Sequence, residues 1–341
     1  MAAEFTNTSE GQLEAVTALL QHSFHLSSNA PALNPSLLNW KYYEPGPPRP
    51  GSRSYVLADK GSLLAHAAIW PIQLRLQGGV RSGIGFCDWA ASEEHRGTGL
   101  LLLKKLTMLA PFILVIGGAD ITRQILPRVG FKRWADLPVY ARVQRPVRQL
   151  LTSPAHNWKA PLRLARNTGW SVAALFPAQA WTAEFSLPDE RTLALAHESA
   201  GSLNDLDFLK FLLRCPTVPI RCLVLRKNGA PQGYAVLTTV GGQGRIADLR
   251  MASLQQEDWN AAISAVVGAF SKERNVCEVS AIASVPLLEQ ALQANGFHLR
   301  EHRPLVVLDS AADMTKEPVP QMGMLVDDAS FLYNPEAPYL T

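Results

Sequence analysis

The sequence predicts an α/β protein in which one structural unit occurs twice. Its 341 residues exceed the length of a typical single domain. Hydrophobic residues make up 47% of the chain and charged residues 18%, which is typical of a folded core rather than of disorder. The apolar residues 83–91 are followed by a glycine turn and then by the apolar residues 100–109, the pattern of a buried strand, a tight turn and a helix. We therefore expect sheets flanked by helices.

A weak internal repeat, offset by roughly 160 residues, supports the division into two units. Asp88, which follows residues 85–87, has a counterpart in Asp248, which follows residues 245–247. The pair Gly130-Phe131 has a counterpart in Gly296-Phe297. We predict a first unit over residues 1–147, a connector over 148–180, a second unit over 181–315 and a tail over 316–341.

The glycine turn is the strongest functional signal in the chain. It reads Arg96-Gly97-Thr98-Gly99. Glycines let the backbone approach a ligand, and the free N–H groups of the first helical turn attract anions. The turn departs from both the dinucleotide pattern and the P-loop, and it could also be a simple tight connection. The second unit has the acidic stretch 253–258 at this place, so we expect no cofactor site there.

Residues 96–101 resemble the acyl-CoA-binding motif of the GNAT N-acyltransferase superfamily, Arg/Gln-x-x-Gly-x-Gly/Ala. Leu101 stands where that family usually has Gly or Ala. The predicted hairpin 54–70, strand 112–117 and helix 121–129 with its Gly-Phe ending match the family's elements around the motif. The resemblance covers residues 5–145 and implies two GNAT-like domains, the second degenerate, each with a mixed, mostly antiparallel twisted sheet flanked by helices.

The resemblance also implies the co-substrate and the groups that hold it. Acetyl-CoA or another acyl-CoA would be the donor, and no metal would be required. The backbone around the glycine turn would hold the pyrophosphate, and the preceding strand would pair with the amide arm of CoA. The implied binding residues are Trp89, Ala90, Ala91, Arg96, Gly97, Thr98, Gly99, Leu100 and Leu101.

For catalysis, the resemblance implies that a carboxylate on the fourth strand helps to deprotonate an amine acceptor, and Asp88 occupies the matching position. His66 lies on the neighbouring predicted strand and is a second candidate, although a buried histidine is often only a hydrogen-bonded core residue. The family's usual acid, a tyrosine, corresponds to about Leu126, which cannot donate a proton.

Composition excludes several other classes of function. A net charge of +3 without a strong Lys/Arg run argues against a nucleic-acid partner. The chain lacks an apolar run of the length that spans a membrane, and its polar first residues are unlike a signal peptide, so we expect a cytoplasmic location. The histidines lack metal-ligand spacing.

The expected partner is a small-molecule or peptide amine. Two alternatives stay open: a Fem-type aminoacyltransferase that uses aminoacyl-tRNA, and a non-catalytic CoA-binding or scaffold module.

Overall fold

The structure is a computed structural model that describes residues 3–46, 51–154, 158–311 and 313–341. The first unit and the connector contain β1 (Glu4–Asn7), α1 (Leu13–Ser23), α2 (Pro35–Tyr42), β2 (Ser54–Asp59), β3 (Ser62–Leu76), β4 (Gly79–Ala91), α3 (Thr98–Leu106), β5 (Phe112–Ile116), α4 (Asp120–Ile125), β6 (Lys132–Val143), α5 (Pro146–Thr152) and α6 (Ala160–Ser171).

The second unit contains β7 (Trp181–Glu184), α7 (Glu190–Ala196), β8 (Gly201–Ser202), α8 (Leu206–Leu213), β9 (Ile220–Lys227), β10 (Ala230–Val240), β11 (Gln243–Met251), α9 (Gln256–Ser271), β12 (Glu278–Ile282), α10 (Pro286–Ala294) and β13 (His298–Asp309). Short 3-10 helices at Met314–Lys316 and Met324–Val326 belong to the tail.

The thirteen strands of the described ranges form one sheet, in the order β1-β2-β3-β4-β5-β13-β6-β12-β11-β10-β9-β7, with β8 beside β3. The pairs β4–β5 and β11–β12 are parallel, and the other pairs are antiparallel. The predicted mixed, mostly antiparallel sheet flanked by helices is confirmed. The last strands of the two units are exchanged: β13 of the second unit pairs with β5, and β6 of the first unit pairs with β12.

The helices pack on the sheet through apolar stripes. Leu102, Leu103 and Leu106 of α3 are buried against Ile84 and Phe86 of β4, as the period of an amphipathic helix requires. The helices α1 and α2 lie in a separate core cluster that includes Ala68 of β3 and Cys87 of β4, whose side chains belong to the opposite face of the sheet. Successive residues of β4 thus supply the two faces of the first unit.

The repeat is visible in local structure. The hairpin β3–β4 shifts register opposite Ala67, and the hairpin β10–β11 shifts register at Ala247. Such bulges interrupt a ladder and redirect the side chains around them. Gly130 and Gly296 both have left-handed backbones, with φ of 99° and 73°, which explains why both Gly-Phe pairs begin with glycine.

The tail crosses the sheet on the face that carries α1 and α2. The Trp70 indole donates to Leu325 O at 2.7 Å, and the Thr238 hydroxyl donates to Ser330 O at 3.0 Å. Arg245 of β11 donates to the carbonyls of Ala329 and Leu332. Both units therefore hold the tail. Among the helices in the described ranges, none combines the length and apolarity that a membrane span requires.

Candidate functional site

The candidate site lies where β4 and β5 separate. Their parallel pairing is confined to two registers, Ile84 with Ile113 and Gly85 with Leu114. Beyond Gly85 the strands diverge and leave a cavity of about 360 Å³. Its walls include Phe86, Asp88, Trp89, Val115, Gly117 and Thr122. The cavity therefore opens between the end of β4, the end of β5 and the start of α4.

The glycine turn forms the amino end of α3. Gly97 has a φ of 87°, a conformation that L side chains rarely adopt. The Thr98 hydroxyl donates to His95 O at 2.8 Å and so is directed at the turn itself. In the part of the chain that the structure describes, the main-chain N–H groups of Gly99 and Leu100 have no acceptor. These two amides, at the positive end of the helix dipole, form a place for an anion.

Gly99 is required for close packing rather than for its backbone angle. A Cβ at this position would lie 3.2 Å from Ala91 Cβ and 3.4 Å from the Trp89 indole nitrogen. That indole donates to Gly99 O at 3.1 Å. The turn is thus fixed to the last residues of β4, which keeps the free amides beside the cavity.

The leucine at position 101, where the motif that this segment resembles has Gly or Ala, does not crowd the glycine turn. Leu100 and Leu101 are each 42% exposed and point into an apolar groove of about 610 Å³. The groove lies between α3 and the end of β13, and its walls include Lys104, Val129 and Leu308. Arg96 is exposed beside the turn. The surface next to the free amides is therefore apolar with cationic groups near it.

A buried ion cluster closes the other end of the cavity. The Lys41 ammonium of α2 donates to Asp88 at 2.6 Å and also to Asp328 of the tail. The Tyr42 hydroxyl donates to the same Asp88 oxygen at 2.5 Å. Asp88 sits at the bulge with a φ of 52°, so these bonds hold a residue whose backbone conformation is uncommon.

The cluster fixes the charges of its members. Burial alone would raise the pKa of Asp88, but the charge and hydrogen bond of Lys41, together with the hydrogen bond from Tyr42, lower it below the usual value. The pKa of Lys41 is raised well above its usual value, because Asp328 and Asp88 outweigh the effect of burial. Burial and the nearby Asp88 raise the pKa of Tyr42. Asp88 is therefore an ion-paired carboxylate with little basicity.

Asp327, the neighbour of Asp328, differs from both paired carboxylates. It lines the cavity and accepts a hydrogen bond from the Ala329 amide at 2.8 Å. Burial, together with the negative charge of Asp328, raises its pKa to about 7. A carboxyl group with this pKa can exchange protons near neutral pH, which is the property of a general base.

His66 lies behind the bulge and does not line the cavity. Its Nδ1 donates to the main-chain oxygen of Asp88 at 3.0 Å, because a carbonyl can only accept. Its Nε2 is 2.9 Å from the Ser54 hydroxyl, which itself accepts from Thr8 at 2.6 Å. Burial lowers the pKa of His66 to about 4, so the ring is neutral at pH 7. His66 thus supports the backbone of Asp88.

Leu126 is buried, 1% exposed, in the core under α3. The position that corresponds to the family's tyrosine therefore offers no proton donor. Sequence reasoning missed Lys41, Asp327 and Asp328, which together define the charge of the cavity. The one signal for the last two was a pair of carboxylates directly after the apolar run 322–326.

The ligand atoms of Cys87, Asp88 and Asp328 lie within 4.8 Å of one another, close enough to surround a cation. The Lys41 ammonium already bonds both carboxylates. Burial raises the pKa of the Cys87 thiol well above its usual value, and a protonated thiol is a poor metal ligand. The donor set therefore fits a buried lysine better than a metal ion.

No protein-family model matches the chain, and no curated protein matches it in sequence. Solved structures do match its fold. A GCN5-related N-acetyltransferase from Anabaena variabilis is 13% identical, with a TM-score of 0.60 over 90% of this chain and 73% of that one. A probable N-acyltransferase from Enterococcus faecalis is 12% identical, with a TM-score of 0.57 over 91% and 73%.

The N-myristoyltransferase of Saccharomyces cerevisiae, solved with bound myristoyl-CoA and inhibitors, is 12% identical. Its TM-score is 0.60 over 94% of this chain and 86% of that one. The fold of the chain is therefore the GNAT fold, and the fold class predicted from the sequence is confirmed.

Proposed function

We propose that the protein is an acyl-CoA-dependent N-acyltransferase in which an amine attacks the thioester directly. One arrangement supports this most strongly. At the start of α3 the main-chain amides of Gly99 and Leu100 are unpaired in the described chain, and the Trp89 indole, which lines the cavity between β4 and β5, donates to Gly99 O. A titratable carboxyl group, Asp327, lines the same cavity. An anionic donor held at the amides would therefore extend past Trp89 to reach a cationic acceptor beside Asp327.

The donor would bind along the first unit. The amides of Gly99 and Leu100 would hold the pyrophosphate, with Arg96 nearby as a mobile cation. The pantetheine arm would run along residues 89–91 at the edge of β4. The adenosine would rest on the apolar groove at Leu100 and Leu101, where Lys104 offers a cation for its phosphate.

The reaction would need little chemistry from the protein beyond placement. An acceptor held beside the thioester gains most of its rate from orientation. Its ammonium would give a proton to Asp327, and the neutral nitrogen would then attack the thioester carbonyl. The C–S bond would break, and the second proton of the nitrogen would pass to the departing sulfur, so that CoA leaves as its free thiol. A main-chain amide at the bulge of β4 would stabilise the oxyanion. Asp88 would act by holding Lys41 and Tyr42 in place.

The tail favours a short acyl group such as acetyl. At the fork of β4 and β5, a Cβ on Gly85 would lie 2.6 Å from Val326 O, so the tail closes the inner end of the gap. The groups beyond it, Lys41, Asp88 and Asp328, are charged. A long apolar chain would have to displace that cluster, which is unfavourable.

Calorimetric titration with coenzyme A tests the donor site. We expect wild type to bind, Leu100→Asp to weaken binding at least tenfold because a carboxylate would replace the apolar surface under the adenosine and repel the nearby phosphates, and Met108→Asp to bind like wild type. Met108 is 68% exposed at the end of α3 and provides the matched control. Absence of wild-type binding, or equal binding by Leu100→Asp, would refute the proposal.

A second candidate, a non-catalytic CoA-binding module, is favoured by the buried Leu126 at the usual acid position. It predicts coenzyme A binding without release of free thiol from acetyl-CoA in the presence of amines. A thiol-release assay separates the two.

A further inference from the structure

The acceptor side of the cavity carries opposite charges on opposite walls. Asp327 and Asp328 come from the tail, and Arg303 comes from β13. Phe24, which is 42% exposed, and Leu332 add apolar surface to the same cavity. Because both charges face one space, a ligand there can meet a cation and an anion at once.

Arg303 reaches this space because of the strand exchange. β13 pairs with β5, and Gly117, which follows β5, donates its amide to Pro304 O at 2.8 Å. The Arg303 side chain passes Gly117, with its Cδ 3.8 Å from the position of a Cβ there. A residue of the second unit thus forms a wall of the first unit's cavity.

Only one nitrogen of the Arg303 guanidinium donates a hydrogen bond in the described residues. Its Nε donates to Glu301 at 2.8 Å, and within the described ranges its two terminal nitrogens have no partner. Its side chain is 30% exposed. Two parallel N–H groups of a guanidinium match the geometry of a carboxylate or phosphate.

Asp327 is partly used as well. Its one hydrogen bond in the described residues comes from the Ala329 amide, and no ion pair in those residues joins it to Arg303. Lys41 bonds Asp328 and Asp88 instead. Opposite charges that face one cavity without pairing leave both groups available to a ligand.

We propose that the acceptor is an amine that also carries a carboxylate or phosphate group, with the amine beside Asp327 and the anionic group on Arg303. This inference rests on the proposed acyltransferase function. Phe24 and Leu332 give room for an apolar side chain, so α-amino acids with apolar side chains are the first class to fit. Simple alkylamines would lose the contact with Arg303.

Acetyl transfer to matched acceptor pairs tests the inference, with release of CoA thiol as the readout. One pair is L-phenylalanine and phenethylamine, and the other is phosphoethanolamine and ethanolamine. In each pair only the first member has the anionic group. We expect at least one anionic member to exceed its partner tenfold or more in kcat/KM.

Arg303→Gln should abolish that preference by raising KM for the anionic acceptor, so that the variant uses both members of the pair about equally. Arg133→Gln, an exposed arginine of β6 paired with Asp136, is the control and should keep the preference. Equal use of both members by wild type, or an unchanged preference in Arg303→Gln, overturns the inference. Coenzyme A binding with transfer to neither anionic acceptor also overturns it but leaves the donor site intact, whereas failure of coenzyme A binding overturns the proposed function itself.

Discussion

Two clefts of this molecule are built alike and are filled differently. In the first unit β4 and β5 pair over two registers and then diverge. In the second unit β11 and β12 pair from Gln243–Glu278 to Ile246–Ala281 and then diverge. Each cleft lies beside a bulged strand and precedes a Gly-Phe pair. The strand arrangement that the two clefts share therefore does not determine which of them can bind a ligand.

The position of the tail makes the difference between the two clefts. Beyond the last β11–β12 pair, Gln321 donates to Leu249 O on one side, and the Ser284 hydroxyl donates to Met322 O at 3.0 Å on the other. A Cβ on Gly323 would lie 2.2 Å from Ala247 O. The chain itself thus occupies the divergence of the second unit and then continues to the first, where it supplies Asp327.

The amino ends of helices α3 and α9, one in each unit, also differ. The amides of Gly99 and Leu100 at the start of α3 are unpaired in the described chain. At the start of α9, Asp258 supplies a carboxylate that also bonds Lys227 and Ser253. In the described chain no side-chain hydrogen bond caps α9, but a fixed carboxylate in its first turn is favoured by the helix dipole and repels a pyrophosphate. Strands β10 and β11 bond the tail, and β13 brings Arg303 to the cavity beside β4 and β5.

The largest expected effect concerns the residue that the tail brings to the open cleft. Asp327→Asn should lower kcat about 1,000-fold, within the range for loss of a general base. In wild type, kcat/KM should rise as the pH increases through about 7, since the base must be deprotonated. The variant should lose that rise. Steady-state rates between pH 5.5 and 8.5 measure both (roughly one and a half pH units on either side of the pKa).

Stability separates this effect from misfolding. The folded pKa of Asp327, about 7, exceeds the ordinary value of 3.8, so folding favours the protonated form and wild type loses stability as the pH rises from about 4 to 7. Asp327→Asn should therefore unfold at the same or a higher temperature at pH 8. Asp313→Asn, at an exposed carboxylate that precedes the tail, should change neither rate nor stability. A fully active Asp327→Asn would exclude the assigned base.

The next effect compares a buried lysine of one unit with an exposed lysine of the other. Lys41→Met should destabilise the fold by about 3–5 kcal/mol, because it leaves Asp88 and Asp328 buried without their cation. Lys210 lies on α8, which precedes β9 as α2 precedes β2, but it is half exposed and lies 3.7 Å from Asp207. Lys210→Met should cost less than about 1 kcal/mol, the typical worth of a surface pair. Urea unfolding of both variants gives the difference, and equal losses would mean that the buried cluster adds no stability.

Local patterns in the sequence predicted much of this architecture. The apolar run 83–91 is the second part of β4, and the run 100–109 corresponds to α3, which begins two residues earlier at the turn. The Gly-Phe repeat marks equivalent helix ends. These features depend on neighbouring residues, so periodicity and turn chemistry reveal them.

The long-range features could not be predicted in this way. The exchange of β6 and β13 depends on pairing between strands that are far apart in the chain, and nothing in either strand's own pattern specifies its neighbour. The same holds for Lys41, which meets Asp328 across 287 positions. Asp88 matched a family position, yet only the structure shows its two donors. Charge at a site depends on such contacts, which explains why Asp327 was missed.

A smaller effect tests how tightly the tail fills the second cleft. Gly323→Ala should destabilise the protein by about 1–3 kcal/mol, because the added methyl group must push the tail away from Ala247 O. The shift should also lower kcat, since Asp327 follows on the same segment. Gly268→Ala, in α9 with open space around it, should be neutral or stabilise by roughly 0.5–1 kcal/mol. Thermal unfolding and initial rates measure both variants, and a neutral Gly323→Ala would mean that the tail is loosely seated.

The last variant is expected to have no effect on binding. It distinguishes the two features that would keep coenzyme A out of the second cleft, which are the carboxylate at the start of α9 and the tail between β11 and β12. Asp258→Ala removes the carboxylate at the start of α9, but residues 321–323 still lie between β11 and β12. Coenzyme A should therefore bind this variant with wild-type affinity at one equivalent per chain in calorimetric titration. A second equivalent that persists when Leu100→Asp is added would show that charge alone closed the second cleft. A stoichiometry of one would mean that the tail alone is enough to exclude coenzyme A from the second cleft, because a pantetheine arm cannot enter a gap that the protein's own backbone fills.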